Sequence, residues 1–278
     1  MKNLALRIIT GLLGAGVIIG SIFLDAWAFV IVFGLIGTAT HVEYMRTVSN
    51  LSTKKPIFEI VYAILVGLIF FIILNKYFFD ARFINLLGGL NIAFLAGFII
   101  AEIFYNRDNP FQHIGLNILG IIYIPMAFGH YINYGLEEDV INTWFAVGLL
   151  FMVWFNDSFA YFAGRLFGKT KLFERISPKK TWEGFWGGML MTIVCSVILS
   201  VLYDDLTLFQ WMGWAIIVSL SATLGDLAES LLKRSIHIKD SGSILPGHGG
   251  FLDRFDGFVI AVPFSIAYLW VLNFFNLV

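Results

Sequence analysis

The chain has 278 residues, of which 59% are hydrophobic and only 13% are charged, with a net charge of -1. Soluble domains carry about 25% charged residues, so this composition excludes an ordinary soluble protein. The charges are also clustered, and the apolar runs between them reach about 20 residues, enough to cross a hydrocarbon core as helix. We therefore expect a polytopic membrane protein. The single cysteine, Cys195, excludes an internal disulfide and a cysteine metal site.

About nine membrane-spanning helices are predicted along the chain from its apolar runs. Their approximate bounds are 5–24, 27–45, 57–75, 83–103, 114–134, 140–163, 184–203, 208–227 and 255–276. The first run lacks a convincing small-residue cleavage site and another span follows at once, so we interpret it as a retained helix. Isolated strands cannot cross lipid unless they close into a barrel. The predicted fold class is therefore all-α.

The lysine and arginine residues predict the orientation of these spans, because cytoplasmic loops are enriched in both. With nine spans, every basic residue except Lys76 and Arg82 falls on the side of the N-terminus. The opposite loops carry acids instead, such as Glu137 and Asp204. This asymmetry predicts a cytoplasmic N-terminus and, because the span count is odd, a C-terminus on the outer side.

Polar residues concentrate in the later part of the chain, which suggests two regions. Residues 1–135 would form an N-terminal region of about five spans. Residues 136–278 would form a C-terminal region that carries the chemistry, with cytoplasmic loops at 164–183 and 228–254.

The first of these loops follows two polar residues at the end of the sixth predicted span, Asn156 and Asp157. Polar groups at membrane depth are expensive, and they often mark a functional site. Asp157 would then contact a ligand, an ion or a lysine of the site. The alternative is a helix-end residue that snorkels to water or pairs with Arg165.

The segment SPKKTWEG, residues 177–184, follows in the same loop. We expect a helix to begin here, with Ser177 as its cap and Pro178 in its first turn. Lys179, Lys180 and Thr181 would then surround a helix N-terminus, where free N–H groups and ammonium groups bind phosphate. The alternative is that the lysines only set the orientation and bind anionic lipid headgroups.

The second loop lies in a polar stretch, residues 221–257, that contains two pairs of acids at helical spacing. Asp226 and Glu229 are three residues apart near the end of the eighth span, and Asp253 and Asp256 are three apart where the ninth begins. Ligation by oxygen alone points to Mg²⁺ rather than Zn²⁺. The alternative is a set of structural ion pairs with the bases Lys233, Arg234 and Arg254.

A turn rich in glycine separates these two pairs of acids. Gly247, Gly249 and Gly250 follow Pro246 closely and would let the backbone approach a ligand. His248 would be a hydrogen-bonding residue in this turn. Elsewhere, Glu43 is one of several acids near cytoplasmic helix ends that we expect to snorkel or to form pairs.

Together these features suit phosphoryl or nucleotidyl transfer between a soluble nucleotide and a lipid at the cytoplasmic surface. A lipid phosphate is largely ionised at neutral pH, so it is already a nucleophile. The main task is to bring polyanions together and to neutralise charge on the leaving group, which metal ions and fixed cations do.

The segment SLLKRSIHIKDSGSILPGHGGFLDRFDG, residues 230–257, resembles the signature of the phosphatidate cytidylyltransferases, also called CDP-diacylglycerol synthases. The elements S-x-x-KR, KD, PGHGG and DR-x-D stand in the order and spacing of that family. The upstream elements ND, AY-x-x-GR-x-FGK-x-K-L, SPKKTWEG and GD are also similar. These motifs cover roughly residues 156–257, whereas the first half is similar only as a multi-span hydrophobic region.

The resemblance implies a reaction of CTP with phosphatidate that gives CDP-diacylglycerol and pyrophosphate. It also implies a dimeric, multi-pass enzyme of the cell (inner) membrane whose active site faces the cytoplasm, with membrane lipid but no nucleic acid as a partner. Asp226 and Asp253 would bind Mg²⁺, with Asp256 as a helper and a second cation left open. The implied catalytic residues are Lys233, Arg234, Lys239, Asp240 and Asp256. The implied substrate-binding residues are Asn156, Asp157, Lys179, Lys180, Thr181, Ser230, His248 and Gly249.

Two other classes of protein remain as alternatives. The first is a related CTP-dependent lipid enzyme, either a polyprenol kinase or a cytidylyltransferase for archaeal ether lipids. The second is a transporter, but transporters usually show internal repeats and a site at the membrane midplane. This chain shows no clear repeat, and its polar residues are predicted at one face of the membrane.

Overall fold

The computed structural model describes a largely helical chain. The residues it describes are 2–49, 61, 65, 67–68, 81–105, 109–137, 140–236, 238 and 249–277. The helices in this part of the chain are α1 (Lys2–Leu24), α2 (Ala26–Ser49), α3 (Ala81–Tyr105), α4 (Pro110–Tyr134), α5 (Thr143–Phe167), α6 (Trp182–Leu202), α7 (Leu208–Ser235) and α8 (Leu252–Phe274). The strands are β1 (Leu136–Glu137), β2 (Val140–Ile141), β3 (Lys171–Phe173) and β4 (Ser177–Thr181). They form two short antiparallel hairpins, β1–β2 and β3–β4.

Within these described ranges, six helices are long and apolar enough to cross a membrane, namely α2 and α4 to α8. Helices α1 and α3 contain shorter apolar stretches, Thr10–Leu24 and Ala81–Gly97. The prediction of a multi-pass helical membrane protein is therefore confirmed. The third predicted span, 57–75, lies mostly outside the described residues, so the count of nine stays a prediction.

The chain divides into two compact units. The first unit contains Met1–Ile141 and Asp240–Asp253, and the second contains Asn142–Lys239 and Arg254–Val278. The segment just before α8 thus belongs to the same unit as α2 and α4. The predicted regions 1–135 and 136–278 stay a prediction about where the chemistry resides.

Helices α2 and α4 form the core of the first unit through aromatic packing and a hydrogen bond from a side chain to the backbone. The rings of Phe29, Phe33 and Tyr131 pack with centroids 4.8–5.6 Å apart, and all three are buried. The hydroxyl of Tyr44 donates a hydrogen bond to the carbonyl of Leu116 at 3.0 Å. This packing holds the C-terminal half of α2, which carries Glu43, inside the unit.

Small residues bring helices α5 and α6 of the second unit together. A Cβ atom on Gly188 would lie 2.8 Å from the carbonyl oxygen of Asn156, and one on Gly184 would lie 2.8 Å from that of Ala160. Membrane helices lack a hydrophobic drive to associate, so they rely on such small residues for close packing. The close crossing places the backbones of Asn156 and Ala160 against the first two turns of α6.

A second close crossing joins α7 and α8. A Cβ atom on Gly225 would lie 2.6 Å from the carbonyl oxygen of Asp256 and 2.9 Å from the Cα of Gly257. Gly225 and Gly257 therefore allow the two backbones to touch next to two of the predicted site residues, Asp226 and Asp256.

The expectation of a helix capped by Ser177 is wrong. Residues 177–181 are extended as β4, which pairs with β3 through Phe173 opposite Ser177 and Lys171 opposite Thr181. Helix α6 begins only at Trp182, because Thr181 caps it by accepting a 3.2 Å hydrogen bond from the backbone N–H of Gly184. Pairing with β3 supplies backbone hydrogen bonds in place of those that a helix would have made. Pro178 lacks a backbone N–H group, and such a residue is compatible with an edge strand.

We expect Gly225→Ala to destabilise the second unit, because the new methyl group must push apart the backbones of α7 and α8. Overpacking of this kind costs about 1–3 kcal/mol. Thermal unfolding in detergent would measure the effect. The matched control is Gly89→Ala in α3, where a Cβ atom meets nothing within 4 Å. Equal melting temperatures for the two variants would contradict this account of the crossing.

Candidate active site

An ion pair between β4 and α7 forms the centre of the candidate site. The Nζ of Lys180 lies 2.6 Å from Oδ2 of Asp226, and Oγ of Ser230 donates to Oδ1 of Asp226 at 3.3 Å. The side chains of Lys180 and Asp226 are 23% and 37% exposed, so the pair is accessible to a ligand. The structure therefore brings together three residues that the sequence predicted for the site.

The two neighbouring lysines, Lys179 and Lys180, have different surroundings. Successive side chains of a strand point to opposite faces, and β4 separates the pair in this way. Lys179 is exposed, whereas Lys180 is partly buried and reaches Asp226. The sequence predicted that both would serve one phosphate site, but their ammonium groups have different environments.

Two further aspartates surround Asp226, and each comes from another helix. Asp157 of α5 interacts electrostatically with Asp226 and Lys180, and Asp256 of α8 interacts with Asp226, Asp157 and Glu229. Asp256 is buried, and its Oδ1 accepts a hydrogen bond from the N–H of Gly257 at 2.6 Å. Three helices thus bring like charges together, which is unfavourable unless a cation or a proton compensates them.

This set of oxygen ligands fits Mg²⁺ better than a metal that needs a complete protein cage. In the described part of the chain, no group of three His, Cys, Asp or Glu side chains is arranged to hold a metal ion. Mg²⁺ commonly uses one or two carboxylates, and water and substrate phosphates complete its coordination. The residues present are oxygen donors, the ligand type that Mg²⁺ takes.

Asn156 lies in the middle of α5 and connects that helix to α7. It is 2% exposed, and its Oδ1 accepts a 2.6 Å hydrogen bond from Oγ of Ser219. Its Nδ2 donates to Oδ1 of Asp157 at 3.4 Å. This geometry suits an asparagine that orients the adjacent aspartate from a buried position.

A second ion pair lies one turn further along α7. Lys233 pairs with Glu229, and their side chains are 12% and 1% exposed. The sequence left structural ion pairs as the alternative to a metal site in this stretch. Glu229 and Lys233 form such a pair. The next residue, Arg234, is exposed, and its guanidinium donates to the carbonyls of Ile176 and Ile238 at 3.5 and 3.4 Å.

Thr181 is a buried cap of α6, packed against Gly164 and Gly168, and its hydroxyl oxygen accepts a hydrogen bond from the N–H of Gly184.

Glu183, which the sequence reasoning missed, accepts hydrogen bonds from the N–H groups of Lys169 and Thr170 at 3.1 Å. It ties the end of the α5–β3 loop to the start of α6. An acid in the first turn of a helix was the signal that could have identified it.

The glycine turn and Asp253 belong to the first unit. Oδ2 of Asp253 accepts the N–H of Gly250 at 3.2 Å, and Gly249 adopts a left-handed conformation with φ of 85°. Oε2 of Glu43 accepts the N–H of Leu252 at 2.8 Å, although Glu43 is 1% exposed. We had expected Glu43 either to snorkel to water or to form a pair. It does not reach water; instead its carboxylate contacts the turn directly.

Three predicted site residues, Lys239, Asp240 and His248, lie outside the described residues, so their roles stay predictions. The two implied metal ligands belong to different units, Asp226 to the second and Asp253 to the first. Their joint role also stays a prediction.

Comparisons with known proteins show the family to which this chain belongs. The model of a cytidylyltransferase family matches residues 5–272. The chain therefore belongs to the cytidylyltransferase family, which confirms the resemblance found in its motifs.

Several relatives that it matches carry a more particular name, phosphatidate cytidylyltransferase. The one from Bacillus subtilis (strain 168) is 32% identical over 271 residues, which is 95% of this chain and 97% of the relative. The one from Staphylococcus haemolyticus (strain JCSC1435) is 39% identical over 147 residues, covering 52% of this chain and 55% of the relative. The one from Staphylococcus aureus (strain COL) is 49% identical over 115 residues, covering 40% and 44%.

We expect Lys233→Met to destabilise the protein by about 3–5 kcal/mol, because it removes the ammonium group that pairs with the buried carboxylate of Glu229. Arg234→Met is the matched control: it also replaces a base by methionine, but at an exposed neighbour, and should have a much smaller effect. The double variant Glu229→Gln/Lys233→Met should recover most of the loss, since it removes both charges. Thermal unfolding of the three variants in detergent would measure this, and equal losses for Lys233→Met and Arg234→Met would contradict the assignment.

Proposed function

We propose that this protein transfers the cytidylyl group of CTP to phosphatidate, giving CDP-diacylglycerol and pyrophosphate for phospholipid synthesis. The observation that carries the proposal is the group of Asp157, Asp226 and Asp256, with Lys180 paired to Asp226, on three helices that are long enough to span a membrane. Its membership of the cytidylyltransferase family and the name shared by its relatives support the same reaction.

The reaction needs charge neutralisation more than proton transfer. An oxygen of the lipid phosphate attacks the α-phosphorus of CTP, and the bond from that phosphorus to the oxygen bridging to the β-phosphorus breaks. Pyrophosphate leaves with the bonding electrons. Lys180 is suited to hold a phosphate oxygen during this exchange, because its ammonium has three donors and Asp226 occupies only part of that capacity.

We also propose that the reaction depends on Mg²⁺, held by Asp226 and Asp253 with Asp256 as a helper. A bound Mg²⁺ supplies positive charge that stabilises the leaving pyrophosphate. Asp157 adds negative charge near Lys180 and keeps that ammonium in place, and Asn156 orients Asp157. A second cation in the site remains part of the proposal without assigned ligands.

The setting proposed for this reaction is the cytoplasmic face of a bacterial cell membrane, where CTP is available. The basic-residue asymmetry supports nine spans with a cytoplasmic N-terminus, and the relatives named above are bacterial. A homodimer is proposed as the working assembly from the resemblance to the family.

The test uses purified protein with phosphatidate, Mg²⁺ and CTP labelled at either the α- or the γ-phosphorus. A cytidylyltransferase puts the α-label into lipid and the γ-label into pyrophosphate, and a metal chelator should stop both. A lipid kinase, the main alternative, would instead put the γ-label into lipid and release CDP. Label transfer of that second kind would overturn the proposed function.

We expect Lys180→Ala to lower kcat by about 10²–10³-fold, the loss typical when a group that stabilises transition-state charge is removed. Lys179→Ala removes an identical side chain one residue away, but that ammonium is exposed and should affect turnover only slightly. Steady-state kinetics with the α-labelled nucleotide would measure both variants. Equal losses would show that the two lysines act together, contrary to their separation by β4.

A further inference from the structure

The start of helix α8 makes a contact that no sequence motif predicts. Leu252 is the first residue of α8, and the first four N–H groups of a helix have no partner within it. Glu43, 209 positions away on α2, accepts the N–H of Leu252 at 2.8 Å and is itself 1% exposed. A carboxylate here also meets the positive end of the helix dipole.

The two glycines shortly before Leu252 leave space for the Glu43 carboxylate. A Cβ atom on Gly250 would overlap Glu43, with 2.6 Å to its Cδ and 2.6 Å to its Oε1. The preceding residue, Gly249, has a φ of 85°, a conformation that glycine adopts readily. The close approach of Glu43 to the turn therefore requires a residue without a side chain at position 250.

The same turn holds the aspartate at the beginning of α8. Oδ2 of Asp253 accepts the N–H of Gly250, so the residue that touches Glu43 also orients the Asp253 side chain. Asp253 and Glu43 interact electrostatically, and Arg46, one turn along α2, is the cation that acts on Glu43. All of these groups belong to the first compact unit.

We propose that Glu43 is a positioning residue, which holds the turn of Gly249 to Leu252 so that the carboxylate of Asp253 is oriented to bind Mg²⁺. The proposal rests on the proposed function for the role of Asp253. The sequence motifs of the site all lie in the C-terminal half of the chain. The proposal adds Glu43, a residue from the N-terminal half. Residues that orient a metal ligand typically change metal affinity or activity by about 10–100-fold when removed.

The experiment has two readouts that do not need turnover. Amide hydrogen exchange of peptides covering 249–253 reports on the turn, and the Mg²⁺ concentration that gives half of the thermal stabilisation reports on binding. For Glu43→Ala we expect faster exchange in these peptides and a half-stabilising Mg²⁺ concentration raised about 10–100-fold. Glu43→Gln, which keeps an oxygen acceptor for Leu252, should retain part of the exchange protection.

Two further variants separate this role from general loosening of α2. Thr40→Val alters a buried residue of the same helix whose hydroxyl donates to the carbonyl of Ile36 within that helix, so both readouts should stay at wild-type values. Gly250→Ala should impair both readouts, because its methyl group collides with Glu43. In the Glu43→Ala background that space is empty, and Gly250→Ala should add little to the loss.

Wild-type exchange in Glu43→Ala would overturn the proposal, as would faster exchange with an unchanged Mg²⁺ midpoint. Equal effects of Thr40→Val and Glu43→Ala, or fully additive effects of Glu43→Ala and Gly250→Ala, would overturn it as well. If both readouts move as expected but the wild-type protein makes no CDP-lipid, the positioning role stands and the proposed function fails.

Discussion

The close approach of helix backbones in the second unit is the constraint on which its polar site depends. Gly188 of α6 lies against the backbone of Asn156, and Gly225 of α7 lies against the backbone of Asp256. Larger side chains at these crossings would move α5 and α8 away from their partners. Because the packing is close, aspartates from three helices can interact within one part of the membrane protein.

Such a concentration of carboxylates is unfavourable in a membrane unless each charge is compensated. Lys180 compensates Asp226, and Lys233 compensates Glu229 at a more buried position. The two pairs differ in exposure, and that difference separates their roles. The buried pair suits structure, whereas the accessible pair can exchange its partners with phosphate and a cation.

Several expectations from sequence were sound because they rest on composition and local spacing. Apolar runs of membrane length predicted α4 to α8. The polar motifs were enough to indicate the family. The helix expected at Ser177 was wrong, because β3 supplies hydrogen bonds from a partner strand that local propensity cannot reveal.

The sequence by itself therefore determined the class of protein and its set of charged residues, since hydropathy and motif spacing are local properties. Only the tertiary structure decided how those residues are used. It turned Lys180 toward Asp226 and left Lys179 exposed, because successive residues of a strand face opposite sides. It also brought Glu43 to Leu252 at the start of α8, a contact between residues 209 positions apart. That contact depends on packing and on a glycine at position 250, because any side chain there would overlap Glu43.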